Sequence, residues 1–128
     1  MAEKSVAQKL LIKPKASVWL SAKAKAPLLE PLPEGAKHVS RLEHATAAIL
    51  FAEDEGALRK LLAKVGAERL AGPEVLWIAY PKGNRSDINR DSVWPIVGEL
   101  GMRPIGQVAV DEVWSALRFR PADKVKKR

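Results

Sequence analysis

The stretch Val75 to Tyr80, VLWIAY, narrows the fold more than any other part of the chain. Val, Ile, Trp and Tyr suit a pleated strand, and apolar residues at successive rather than alternate positions require cover on both faces. That is the signature of a strand inside a sheet with helices on either side. Pro81 ends the run and the polar segment Lys82 to Asp91 follows. A buried strand that empties into a polar loop ahead of a helix is where open α/β sheets place ligands.

The rest of the chain fits the same architecture. Ser17 to Ala22 reads as a first strand, Ala36 to Leu42 as an edge strand of alternating character, and Ala45 to Phe51 as a second buried strand. Lys23-Ala24-Lys25-Ala26 is the loop after the first strand, and a helical turn or two between Pro27 and Pro33 follows. Glu53-Asp54-Glu55 opens a helix, with Asp54 as N-cap and acids at the positive end of the dipole. Leu58, Leu61, Leu62 and Val65 then fall at i, i+3, i+4, i+7. Val93, Val97 and Leu100 predict another helix, stopped by Gly101 and capped around Asn89 to Asp91, with Pro95 awkward in its interior. Arg103 to Val110 and Trp114 to Phe119 read as an antiparallel hairpin.

Strands alternate with helices until the last two. The expectation is one three-layer α/β domain of about six strands, a reduced Rossmann-like, mostly parallel sheet ending in an antiparallel hairpin. Its limits are 17–121. Residues 1–16 form a basic N-terminal segment that holds a short helix, and 122–128 form a basic tail.

Composition excludes several chemistries. The chain has 128 residues, enough for a self-supporting core, and no Cys, so disulfides and thiolate sites are absent. His38 and His44, its two histidines, are not spaced as a helical zinc pair. No secretory signal or membrane-length apolar run is present, so the expected location is the cytoplasm and no membrane partner is expected. The net charge of +7 is uneven: +5 in residues 1–25, +3 in 121–128 and −1 in between. The expected body is therefore nearly neutral, with the excess in lysine-rich ends that act as solubilising tails or touch polyanions weakly.

The loop Lys82, Gly83, Asn84, Arg85 is the leading binding candidate. Gly83 permits a tight backbone, Lys82 and Arg85 supply charge, and a helix N-terminus follows, so the loop suits a phosphate or carboxylate. A polar turn with Asp87 or Asn89 as helix cap accounts for the same residues. Lys23 and Lys25 fall near the switch point of the predicted sheet and could reach the same anion. Glu53 and Asp54 lie at a strand end, where they serve as acid/base groups or simply cap the helix. Trp77, Trp94 and Trp114 are expected in the core rather than on a base-stacking surface. No metal site is expected.

A strand, acids opening a helix, Gly72-Pro73, a strand ending Tyr80-Pro81, a helix and a terminal hairpin together resemble the second half of a class I, Rossmann-like S-adenosylmethionine-dependent methyltransferase. The first half would be compressed into Ser17 to Leu42. The segments LWIAYPKG, SDINRD and VDEVWSALRFRP look like those of a small bacterial family of unestablished function, itself methyltransferase-like. The resemblance spans most of residues 5–121. It implies S-adenosylmethionine as cofactor, but the chain departs from the pattern. The loop Ala22 to Pro27 has no glycine for close backbone approach, Glu43 is a lone acid near the end of the second strand, and Phe51-Ala52-Glu53-Asp54 lacks the family's prolines. The expected function is a non-catalytic methyltransferase-like module that binds an anionic small ligand or a partner protein, without a cofactor. The alternatives are weak nucleic-acid association through the basic ends and an active methyltransferase.

Overall fold

A computed structural model of the chain describes residues 6–30, 32–70, 72–82, 88 and 90–121. In chain order, α1 spans Val6–Lys9, β1 Ser17–Leu20, β2 Lys37–His38, β3 Ala47–Phe51, α2 Glu55–Val65, α3 Ala67–Leu70, β4 Val75–Pro81, α4 Arg90–Gly98, β5 Met102–Ala109 and β6 Trp114–Pro121. Two 3₁₀ segments, Lys23–Leu29 and Leu42–His44, complete it.

The strands form one sheet in the order β2-β1-β3-β4-β6-β5. The pairs β2/β1, β1/β3 and β3/β4 are parallel, and β6 runs antiparallel to both β4 and β5. Five strands therefore point one way and β6 alone points the other. β3 and β4 are buried at every residue, as their unbroken apolar runs require.

Two apolar layers sandwich the sheet. On one face Ala48, Leu50, Leu76, Ile78, Tyr80, Leu117 and Phe119 meet Leu58, Leu62 and Val65 of α2 and Val93, Ile96 and Val97 of α4. On the other Ile49, Phe51, Val75, Trp77 and Trp114 meet Ala7, Leu10, Ile12 and Leu29. The N-terminal segment thus belongs to the core: Ala7 and Leu10 are fully buried, and the Trp77 Nε1–H donates to the Leu10 carbonyl at 2.8 Å. Among the described residues no helix is long and apolar enough to cross a membrane.

Several local expectations are corrected. The first strand ends at Leu20, and Lys23 to Leu29 is a 3₁₀ helix rather than a loop followed by a turn between prolines. Pro27 has no N–H to donate, so an α-helix could not run through the segment undisturbed. The edge strand shrinks to Lys37–His38, with Leu42 drawn into a 3₁₀ turn by burial under the helical layer. Trp94 is not in the core. It is 55% exposed because the buried stripe of α4 is Val93, Ile96 and Val97, which faces away from it on the helical wheel. Pro95 sits inside α4 at an exposed position, and Asn89 of the expected cap region lies outside the described residues.

Candidate functional site

In an open α/β sheet the ligand crevice opens beyond the carboxyl ends of the strands where the strand order reverses. Here that point lies between β1 and β3, since β2 extends the sheet on one side of β1 and β3 continues it on the other. The chain itself closes this place. Ser21, the first residue after β1, accepts the Phe51 N–H on its hydroxyl oxygen at 2.8 Å, while its own N–H donates to the Ile49 carbonyl. The two strand ends are stitched together where a crevice would part them.

Aromatic rings continue the closure. The ring of Phe51 meets Trp114 edge to face, with centroids 5.3 Å apart and planes at 86°. Trp114 opens β6 opposite Pro81, so the reversed strand delivers a large ring to the edge where β3 and β4 end. Lys25 reaches from the 3₁₀ helix and places Nζ 4.8 Å from the centroid of the Trp114 ring. Such a contact contributes about 0.5–1 kcal/mol at an exposed site. Asp111 fixes the hairpin turn from which Trp114 emerges, its Oδ1 accepting from the N–H groups of Val113 and Trp114 at 2.8 and 2.7 Å. The Lys82 N–H donates to the Val113 carbonyl at 2.8 Å and ties the end of β4 to the same turn.

The sequence-predicted residues therefore divide. Lys25 and Lys82 both flank Trp114, Lys25 by its ammonium and Lys82 by its backbone. Lys23 turns to the other side of β1, where it lines a groove of about 330 Å³ with Leu20, Ala26, His38, Val39 and Ser40. Asp54 is the N-cap of α2, its Oδ1 accepting the Ala57 N–H at 2.7 Å, and Glu53 beside it is exposed. Gly83, Asn84 and Arg85 lie outside the described residues. His38 and Ser40 belong to the predicted edge strand Ala36 to Leu42, whose alternation marks a strand and not a ligand site; Ser21 falls within the predicted first strand, and only the end of β1 at Leu20 frees its hydroxyl.

Glu43, expected near the end of the second strand, does not lie at a strand's carboxyl end. It lies in the 3₁₀ turn that leads into β3, and Arg69 of α3, shortly before β4, donates to its carboxylate at 3.3 Å. Both belong to connections into the amino ends of strands, away from the carboxyl edge. Among the described residues no cluster of three or more His, Asp or Glu could hold a metal ion.

No protein-family model matches the sequence, and no curated protein matches it either. Solved structures do. A protein of the NADB-Rossmann superfamily from Streptococcus agalactiae superposes with a TM-score of 0.56 at 7% identity, covering 94% of this chain and 69% of that one. A candidate tRNA (m1A22) methyltransferase from Streptococcus pneumoniae superposes equally well, TM-score 0.56 at 11% identity, over 100% of this chain and 73% of its own. The fold is Rossmann-like and methyltransferase-like. At these identities the likeness concerns the path of the chain, and the chemistry has to be read from the residues.

Among the described residues, the segment after β1 is a 3₁₀ helix of Lys, Ala, Pro and Leu with no glycine, and the Ser21–Phe51 bond and the Phe51–Trp114–Lys25 contacts lie at the strand ends.

Proposed function

We propose that the protein is a non-catalytic, methyltransferase-like binding module that holds a small anionic ligand at the carboxyl edge of β1 and β2. The observation that carries this reading is the closed switch point. A cofactor there would have to displace the Ser21–Phe51 hydrogen bond and the Trp114 ring, whereas the neighbouring groove needs no rearrangement. A volume of about 330 Å³ is at the small end of the usual range for ligand sites.

The lining supports an anion with an apolar body. Leu20, Ala26 and Val39 offer carbon surface, and Lys23, His38 and Ser40 complete the lining. Lys23 is exposed, and its compact ammonium suits a phosphate or carboxylate as a point charge. Glu30 Oε2 lies 3.9 Å from His38 Nε2. Glu53 is exposed, Asp54 is engaged as a helix cap, and neither lines the groove.

Calorimetric titration of the full chain with inorganic phosphate, a nucleoside monophosphate and S-adenosylmethionine tests the reading. Binding of a phosphate probe that is lost in Lys23→Ala and kept in Lys60→Ala supports it. Binding of S-adenosylmethionine to the unaltered chain overturns it in favour of an enzyme, and silence with every probe removes the ligand.

A further inference from the structure

A second charged surface lies at the opposite edge of the sheet, on the amino side of β4, and it is built on the fold rather than on the chain ends. Arg118 and Arg120 alternate along β6 and so share one face of it. Arg103 of β5 stands directly opposite Arg120 in the ladder. Like charges in directly opposed positions destabilise a sheet. Arg118 pairs in register with Trp77 on one side and Gly106 on the other. Its stem lies beside an indole and its head is partly withdrawn from water; its Nε is buried and meets no hydrogen-bond partner among the described residues.

These arginines border a groove of about 360 Å³ whose other walls are Leu11, Lys13, Glu74 and Val75. The one carboxylate there is held by Lys13, Nζ to Oε1 3.9 Å. One acid thus faces Lys13, Arg118 and Arg120 on the groove and Arg103 beside it. Burial, then the charge of Arg120, push the Arg118 guanidinium below its usual value, and Glu74 only partly offsets them. Leu11, on the rim, is 43% exposed and holds a positive φ of 62°, a conformation that costs a branched residue about 1 kcal/mol or more. A like-charged ladder, a desolvated guanidinium and a strained exposed leucine all weaken the isolated fold at one spot.

We propose that this surface binds the phosphate backbone of a nucleic-acid strand. Arg118 and Arg120 are two strand residues apart, roughly 7 Å along β6, a spacing suited to successive phosphates. Arg103 and Lys13 broaden the track on either side. Two arginines in line on one face of a strand suit a long polyanion better than a compact one. Phosphate contacts carry no base information, so the binding is indifferent to sequence. It engages different residues from the groove at β1 and β2 and stands or falls separately.

Fluorescence anisotropy of the full chain with a labelled oligouridine tests it, with salt raised from about 50 to about 200 mM. Removing one phosphate-neutralising cation lowers the log–log salt slope by about 0.7 for a single strand. Arg103→Gln with Arg120→Gln, both at solvent-facing or half-exposed positions, should weaken binding roughly tenfold and flatten the slope by about 1.4. Lys60→Gln with Lys64→Gln, on α2, should change neither. Arg118→Met adds a readout that a purely structural arginine would not give: the melting temperature should rise while affinity falls. Unchanged affinity in the Arg103/Arg120 variant, or an equal loss in the α2 variant, overturns the proposal. So does removal of all binding by deleting residues 122–128 alone. Tighter binding of a poly-glutamate peptide than of the oligouridine overturns it in favour of an acidic protein partner.

Discussion

Trp77 and Trp94 are the same residue type with opposite fates, and the difference is set by what each can reach. Trp77 lies in the middle of β4 at 2% exposure, and its indole N–H is satisfied by the Leu10 carbonyl. Trp77→Phe keeps most of the apolar volume but leaves that carbonyl without its partner in a dry layer. The cost of an unmet buried polar group is about 1–3 kcal/mol, and the cavity left by the missing ring adds to it. Chemical denaturation should show a loss of about 2–4 kcal/mol. Trp94→Ala removes a ring that water already covers, so the midpoint should stay within about 0.5 kcal/mol of the unaltered protein. The sequence carried this distinction only in part. A tryptophan in an unbroken apolar strand has nowhere to go but inward. One beside a helical stripe is inside or outside by a single step of about 100°, and Val93, Ile96 and Val97 settle it once all three are counted.

Elements with a strong period or an unbroken apolar run were legible for the same reason that they are stable: burial of one face dictates residue type at fixed spacing. β3, β4 and α2 are of this kind, and the antiparallel hairpin followed from two apolar runs with a short polar turn. The 3₁₀ segment Lys23–Leu29 was not, because Ala and Lys permit several local conformations and the choice is made by Leu29 packing under the sheet. The closed switch point was hidden too, since Ser21, Phe51 and Trp114 come from three distant segments. At α2 the local signal is complete, and Asp54→Ala should cost about 1 kcal/mol through the unpaired Ala57 N–H. The link between the Leu42–His44 turn and α3 makes a pH prediction. A hydrogen bond from the backbone N–H of its own residue holds the Glu43 carboxyl below its ordinary 4.5; burial opposes this, and the Arg69 and Arg41 charges add to the lowering. A depressed carboxyl pKa stabilises the fold at pH above the unfolded value, and this contribution fades as pH falls through the folded one. Glu43→Gln should therefore melt slightly below the unaltered protein at neutral pH, and the two should converge in acid below the normal Glu range. A gap that persists there would assign the effect to packing.

Taken as a whole, the molecule is asymmetric about its sheet. One face is covered by α2 and α4, whose stripes the sequence announces. The other is covered by a four-residue helix, a short extended stretch and the 3₁₀ segment, so its few anchors carry a large share of the burial. Leu10 is fully buried, Ile12 is 4% exposed, and both belong to the layer around Trp77. Burying a side chain of this size is worth about 1.5–3 kcal/mol, so the two together, about 3–6 kcal/mol, match the lower end of the roughly 5–15 kcal/mol typical of a small domain. A chain lacking residues 1–12 should then lose its cooperative unfolding transition, with Trp77 emission shifted to the red, even though the deletion touches no residue of the sheet. Leu10→Ala is the milder form: a loss of about 2–5 kcal/mol at unchanged fold, measured by urea titration. If the truncated chain instead melts like the intact one, the N-terminal segment is a detachable strap, and the face containing Trp77, Val75 and Arg118 is available to a partner in its place.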